Sequence, residues 1–209
     1  MRKLLIGAAI LILVNLAHGG AYDDIIAAAN NGDAGAVHDL LKRGMDVNTA
    51  DRSGSTLLMI AASNGNVPLM EILLVNRANV NRRNQAGDTA LLLAALKARL
   101  EAAKVLIDKG ADLNAAGWTP LHYAIFGGGR DVAALLIAKG AKIDARAPNG
   151  ETSLMLAVRL DKPDLVRLLI AENANLDLLD AEGRSALALA NKLERGDIAG
   201  YLRKAGAAQ

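Results

Sequence analysis

Gly117-Trp118-Thr119-Pro120-Leu121-His122-Tyr123-Ala124 is the stretch whose reading decides the fold, because weaker copies of it recur along nearly the whole remaining sequence. With Thr119 as marker, the equivalent positions are Asp23, Thr56, Thr89, Thr152 and Ser185, and the steps between successive markers are 33, 33, 30, 33 and 33 residues. Self-similarity at such a period indicates stacked units, each one supersecondary element long. Other columns keep the same register. Five residues after the markers stand Ala28, Ala61, Ala94, Ala124, Ala157 and Ala190. Apolar runs follow, such as Ile72-Leu73-Leu74 and Leu168-Leu169-Ile170, and after each run comes a pair such as Gly44-Met45, Arg77-Ala78, Gly110-Ala111 or Asn173-Ala174. Five units close on Val47-Asn48, Val80-Asn81, Leu113-Asn114, Ile143-Asp144 and Leu176-Asp177.

Each column has a local physical reason. Thr119 caps a first helix by accepting backbone N–H groups, and Pro120 sits where its missing donor costs nothing. The Ala column lets paired helices approach closely, and the Leu/Ile run supplies the buried stripe of a second helix. Gly after that helix takes the left-handed conformation that ends it. The segment from Asn48 to Ser55, with Asp51-Arg52-Ser53-Gly54, reads as a turn projecting from the helix pair.

These columns resemble the ankyrin repeat, whose T-P-L-H-x-A signature is matched letter for letter by Thr119 to Ala124. The resemblance runs over residues 22–207 and implies an all-α solenoid of stacked helix-turn-helix units with projecting β-turn fingers. Six repeats span 22–48, 49–81, 82–114, 115–144, 145–177 and 178–207. Thr56-Leu57, Thr89-Ala90 and Thr152-Ser153 lack the Pro, and the first unit has Asp23 in place of Thr. The outer units read as caps: Asp23, Asp24, Asn30, Asn31 and Asp39 at one end, and Glu194, Arg195, Arg203 and Lys204 at the other, give the polar end faces that a stack requires. The tail Ala205 to Gln209 is expected to fray.

Met1-Arg2-Lys3 followed by the apolar run Leu4 to Ala17 and the small residues Ala17, Gly19, Gly20 and Ala21 has the layout of a secretory signal peptide over residues 1–19. Cleavage is expected after Gly19, with Ala17 and Ala21 as the other permitted positions. The run is short for a membrane span, and an uncleaved anchor is the competing reading. A chain with no Cys suits export to an oxidising space. Loss of Arg2 and Lys3 brings the 24 Lys and Arg down to the same 22 as Asp and Glu, so the processed chain is formally neutral and carries no nucleic-acid or anionic-membrane footprint. A periplasmic or secreted location follows from this reading.

Chemistry is sparse. The processed chain keeps only His38 and His122, and the lack of Cys removes thiol catalysis and most zinc sites. Gly127-Gly128-Gly129 has neither a preceding strand nor a following Lys-Ser/Thr, so it reads as a helix-to-helix turn and not a phosphate loop. No catalytic residue, cofactor or metal is expected. The expected role is a non-enzymatic, monomeric module that grips a protein partner, without membrane contact after cleavage. Restraint or chaperoning of an exported enzyme or effector, or a membrane-tethered scaffold, are the alternatives.

By resemblance to the ankyrin repeat, target contacts come from the finger tips and from exposed positions seven and eight residues past each marker. Here these include Arg52, Gln85, Asn149 and Glu151 on the fingers and Leu96, Lys97, Phe126, Arg159 and Leu160 on the helices. Between Asn114 and Thr119 three residues are missing relative to the other turns, which predicts a shortened finger and a notch in the row. The single Trp and single Phe, Trp118 and Phe126, fall beside that notch. Aromatic anchors dominate interface energy, so these two, flanked by Leu96 and Arg159, are the expected centre of a binding patch. The competing reading has Trp118 folding back to plug the notch.

Overall fold

The structure is a computed structural model describing residues 20–207; the leader expected over residues 1–19 lies outside the described residues. Six helical hairpins follow one another. They are α1 (helical residues 20–31) with α2 (Ala34–Lys42), α3 (Leu57–Asn64) with α4 (Val67–Val75), and α5 (Ala90–Leu96) with α6 (Leu100–Asp108). Then come α7 (Pro120–Gly127) with α8 (Arg130–Ala138), α9 (Ser153–Arg159) with α10 (Pro163–Ala171), and α11 (Ala186–Lys192) with α12 (Gly196–Lys204).

Five of the six markers do the capping the sequence implied. Thr56, Thr89, Thr119, Thr152 and Ser185 stand in extended backbone, and each side-chain oxygen accepts the N–H three residues on, at 3.2–3.4 Å. Asp23 departs from the pattern. It lies inside the helical residues 20–31, so it caps nothing, and its exposed carboxylate serves the polar end face instead. Behind the second helices, the left-handed position is taken by Gly44, Gly110, Gly140 and Gly206 but also by Arg77 (φ 65°) and Asn173 (φ 62°).

Helices of seven to nine residues are unstable alone in water, so the stack must supply what propensity does not. The inner helices pile up in the order α3, α5, α7, α9, α11, and the outer ones in the order α2, α4, α6, α8, α10, α12. Of the inner helices, α3 and α9 are buried over most of their length: Leu57 to Ala62 and Ser153 to Val158 are closed to solvent. The outer ones bury one stripe, as Leu69, Met70 and Leu73 do in α4. Every member of the Ala column is buried, which is what allows the close approach of neighbouring units.

A polar ladder ties unit to unit. Asn48 Oδ1 accepts the N–H of Asn79 at 2.8 Å, Asn81 that of Asp112 at 2.9 Å, Asn114 that of Lys142 at 2.7 Å, and Asp144 that of Asn175 at 2.9 Å. This is the physical reason for the Asn/Asp that closes the units. At the N-terminal end the Tyr22 hydroxyl donates to the Ala50 carbonyl at 2.6 Å, and at the other end Arg195 reaches back to Asp161 at 3.0 Å. The expected fraying does not hold for Ala205 to Ala207: Gly206 N–H donates to the Arg203 carbonyl and Ala207 N–H to that of Leu202, which closes α12. Among the described residues, no helix is long and apolar enough to cross a membrane.

Candidate protein-binding surface

Four segments between the hairpins fold as fingers by the same local chemistry. The N–H of the first residue donates to the carbonyl of the fifth in 51–55, 84–88, 147–151 and 180–184, at 2.9–3.0 Å. In three of them the first side chain also accepts inside the turn. Asp51 takes the N–H groups of Ser53 and Ser55, Asn84 that of Asp88, and Asp180 those of Glu182 and Arg184. Burial pushes the Asp51 and Asp180 carboxyls up, but the Ser53 hydroxyl and these N–H groups at Asp51, and the N–H groups and the Arg184 guanidinium at Asp180, outweigh it and hold both below the usual Asp value.

Adjacent fingers touch. Gln85 N–H donates to the Ser53 carbonyl at 3.1 Å, and a methyl group at Gly150 would lie 2.6 Å from the Ala181 nitrogen. Units two and three therefore pair their fingers, as do units five and six. Unit four has only Ala115-Ala116-Gly117-Trp118 at this place, so the row is interrupted between finger 84–88 and finger 147–151.

Two adjacent residues of α7 span the interruption. The His122 ring is fully buried, with Nδ1 facing the Thr119 N–H at 3.3 Å and its Oγ1 at 2.8 Å, and Nε2 3.3 Å from the Glu151 carbonyl oxygen. An Nε2–H tautomer satisfies both ends: Nδ1 accepts and Nε2 donates. Burial lowers the ring's pKa, outweighing the opposing effects of the Glu151 carbonyl and carboxylate. Its neighbour Tyr123 donates from its hydroxyl to Asp88 Oδ1 at 2.6 Å. His122 has the bonding of a structural brace, and its ring is closed to solvent.

Trp118 packs edge-on against His122, with ring centroids 5.4 Å apart and planes at 77°. It is half-buried, so one part of the indole fills the interruption and another stays in contact with solvent. The open part shares an apolar pocket of about 250 Å³ with Leu96, Tyr123 and Phe126. Phe126 is 56% exposed, a state that costs free energy unless something covers it. Beside the pocket α7 lies very close to α5: a methyl group at Gly127 would sit 2.1 Å from the Leu96 carbonyl oxygen, and one at Gly129 would be 3.0 Å from the Ala98 methyl. Gly128 supplies the left-handed cap of α7 at φ 76°. The three glycines are thus a helix-to-helix turn, with close packing as a reason beyond turn chemistry.

The other expected contact residues scatter. Lys97 is the exposed C-cap of α5, next to Leu96. Arg159, one unit along from Phe126, clasps Glu151 through two bonds of 2.9 and 3.0 Å. Glu151 is not the exposed finger residue that its position suggested: only 4% of it meets solvent, because the Arg159 guanidinium and the Asn149 amide take both carboxylate oxygens inward. Leu160 is half-buried against the core. Arg52 and Asn149 are exposed on their fingers, and Gln85, also exposed, turns its amide onto the Arg52 carbonyl at 3.1 Å. Tyr123 escaped the sequence reading because it stands four residues past the marker, off the expected contact positions. A tyrosine in the unit that already holds the single Trp and Phe was the available signal.

The family model described as Ankyrin repeats (3 copies) matches residues 25–116, 73–147 and 140–209. Among curated proteins, the chain is similar to the 2-5A-dependent ribonuclease of Mus musculus, 45% identical over 56 residues. That stretch is 25% of this chain and 8% of the ribonuclease, so the similarity spans a small part of that protein.

Proposed function

The chain belongs to the ankyrin-repeat family, and from that premise we propose that it is an exported, non-enzymatic module that holds a protein partner on its finger and inner-helix face. The observation that carries this reading is the pocket of Leu96, Trp118, Tyr123 and Phe126, an apolar hollow beside the interrupted finger row. Large aromatic side chains around a concave apolar centre are what interface anchors consist of. Repeat solenoids of this family generally mediate protein–protein interaction, and the binding energy of such a surface concentrates in a few central residues.

Export is supported by the sequence layout of residues 1–19 and by the absence of Cys. A periplasmic or secreted location goes with it.

The test uses Phe126→Ala, because an exposed side chain can be removed without loss of fold. Melting should change little, by roughly 0.5 kcal/mol or less in stability. Retention of the native partner, captured from an exported-protein fraction, should fall at least about tenfold. Undiminished retention by Phe126→Ala would remove the pocket from the binding surface. Trp118→Ala, whose indole both packs and faces solvent, should lose binding and stability together. Mass spectrometry of the chain recovered from cells checks export: a new N-terminus after Ala17, Gly19 or Ala21 agrees with cleavage, and an intact N-terminal leader contradicts it.

A further inference from the structure

Three inner helices satisfy the N–H of their capping Thr with the side chain three residues on. In α3 the Met59 sulfur accepts it from Thr56 at 3.4 Å, and in α9 the Met155 sulfur accepts it from Thr152 at 3.5 Å. In α7 the acceptor is His122 Nδ1, 3.3 Å from the Thr119 nitrogen. The residues at this position are Met59, Leu92, His122, Met155 and Ala188, so the one that titrates stands in the unit that lacks a finger.

That ring also backs the pocket. Trp118 lies edge-on to it and lines the hollow with Leu96, Tyr123 and Phe126. The segment bearing the indole is lightly tied. Ala115 to Trp118 lack the N–H to carbonyl bond that closes each finger, and Gly117 stands at φ 92° with open space where a methyl group would go. A short segment held by few bonds opens at lower free energy than the helices beside it.

The charged groups around the ring do not offset its burial. Glu151 faces it and favours a proton there, but Arg159 of α9 and the Asn149 amide already occupy that carboxylate. On the other side Asp88 receives the Tyr123 hydroxyl. From Ala90 to Leu96, α5 carries no titratable side chain, and Lys97 after it, like Arg130 and Asp131 of α8, is exposed. Burial is the larger effect and favours the neutral ring.

We infer that His122 is a proton-operated latch on the pocket: the neutral ring holds Trp118 in the wall, and the protonated ring leaves its place and lets the Ala115 to Trp118 segment open. The inference rests on the pocket as the binding surface and adds its regulation, so that a partner is held near neutral pH and released in mild acid. A proton on Nδ1 takes away the acceptor of the Thr119 N–H and leaves a cation closed off from water; outside, the same cation is hydrated. The stack itself stays folded, because Leu121, Ala124 and Ile125, closed to solvent, keep α7 packed on its neighbours.

Trp118 is the single Trp of the chain, so quenching of its emission by acrylamide, a neutral probe, reads the latch directly. Between pH 7.5 and pH 5 the quenching constant of the full chain should rise at least about twofold while the far-ultraviolet helix signal holds. The midpoint should lie below 6.5, the ordinary value for the ring. His122→Met, which copies Met59 and Met155, should keep the constant flat over the same range, and His122→Gln provides a second acceptor that does not titrate. A flat parent, a rise that persists in both variants, or a rise that comes only with loss of helix would overturn the latch. None of these outcomes touches the Phe126→Ala binding test at neutral pH, so the binding surface stands or falls separately.

Discussion

The Tyr123 hydroxyl donates to the Asp88 carboxylate at 2.6 Å, joining α7 of the unit that lacks a finger to the finger of the unit before it. His122, the preceding residue, makes the matching link to the finger of the unit after it through the Glu151 carbonyl. Burial and then the bond to Asp88 push the Tyr123 phenol up to about 12. Tyr123→Phe keeps the ring and the pocket wall but deletes the donor. It should cost about 1.5 kcal/mol, the scale of a hydrogen bond to a charged group, in urea unfolding. A loss within experimental error would mean that finger 84–88 needs no such brace.

His122 gives the fold a dependence on mild acid. Its ring pKa in the folded chain is lowered, chiefly by burial, from an ordinary value of 6.5. The folded state therefore binds its proton more weakly than the unfolded state, and stability is full above pH 6.5 and drains as pH falls below it. A proton on Nδ1 would also face the Thr119 N–H, turning an acceptor into a second donor and opening the cap of α7. Melting followed from pH 7.5 to 5 should decline for the parent and decline less for His122→Gln. Equal slopes would show that this ring does not govern the acid limb.

Two glycines separate crowding from backbone strain. Gly127 has nowhere to put a methyl group, with the Leu96 carbonyl oxygen 2.1 Å from its place, so Gly127→Ala should cost about 3 kcal/mol or more by forcing α7 off α5. Gly140 stands at φ 94° with nothing within 4 Å of the added methyl. Gly140→Ala should cost about 1 kcal/mol from the left-handed backbone alone. Denaturant midpoints of the two variants check the order; a Gly127→Ala chain as stable as the parent would contradict the close contact.

Arg77 holds the same left-handed position that glycine fills in units one, three, four and six. Its side chain is exposed, so Arg77→Gly should relieve backbone strain without loss of packing and raise stability by about 0.5 kcal/mol. Thermal unfolding decides it, with a lowered melting point as the contrary result.

Most of the architecture was readable because each column is a local requirement: an oxygen at the cap, a small residue between helices, a left-handed residue after the second helix. Where the reading failed, the cause was tertiary. Asp23 sits at the marker position, yet a helix passes through it, which no spacing could show. Glu151 looked like a finger tip by count, but Arg159, eight residues on, draws its carboxylate inward. The notch was legible from three missing residues. The use made of it was only half legible, since Trp118 is partly packed on His122 and partly open toward Phe126. Tyr123 was invisible because its role depends on Asp88, 35 residues earlier.

The rung side chains all reach forward, from one unit to the next. The oxygens of Asn48, Asn81 and Asp144 accept an N–H 31 residues on and that of Asn114 one 28 residues on, while the Asn81 and Asn114 amides donate to the Gly110 and Gly140 carbonyls. A chain that emerges N-terminus first from synthesis therefore presents each of these rung side chains before the unit that it bonds. Growth of the stack from its leading end never has to wait for a distant segment, and that suits a protein whose units are too short to persist alone.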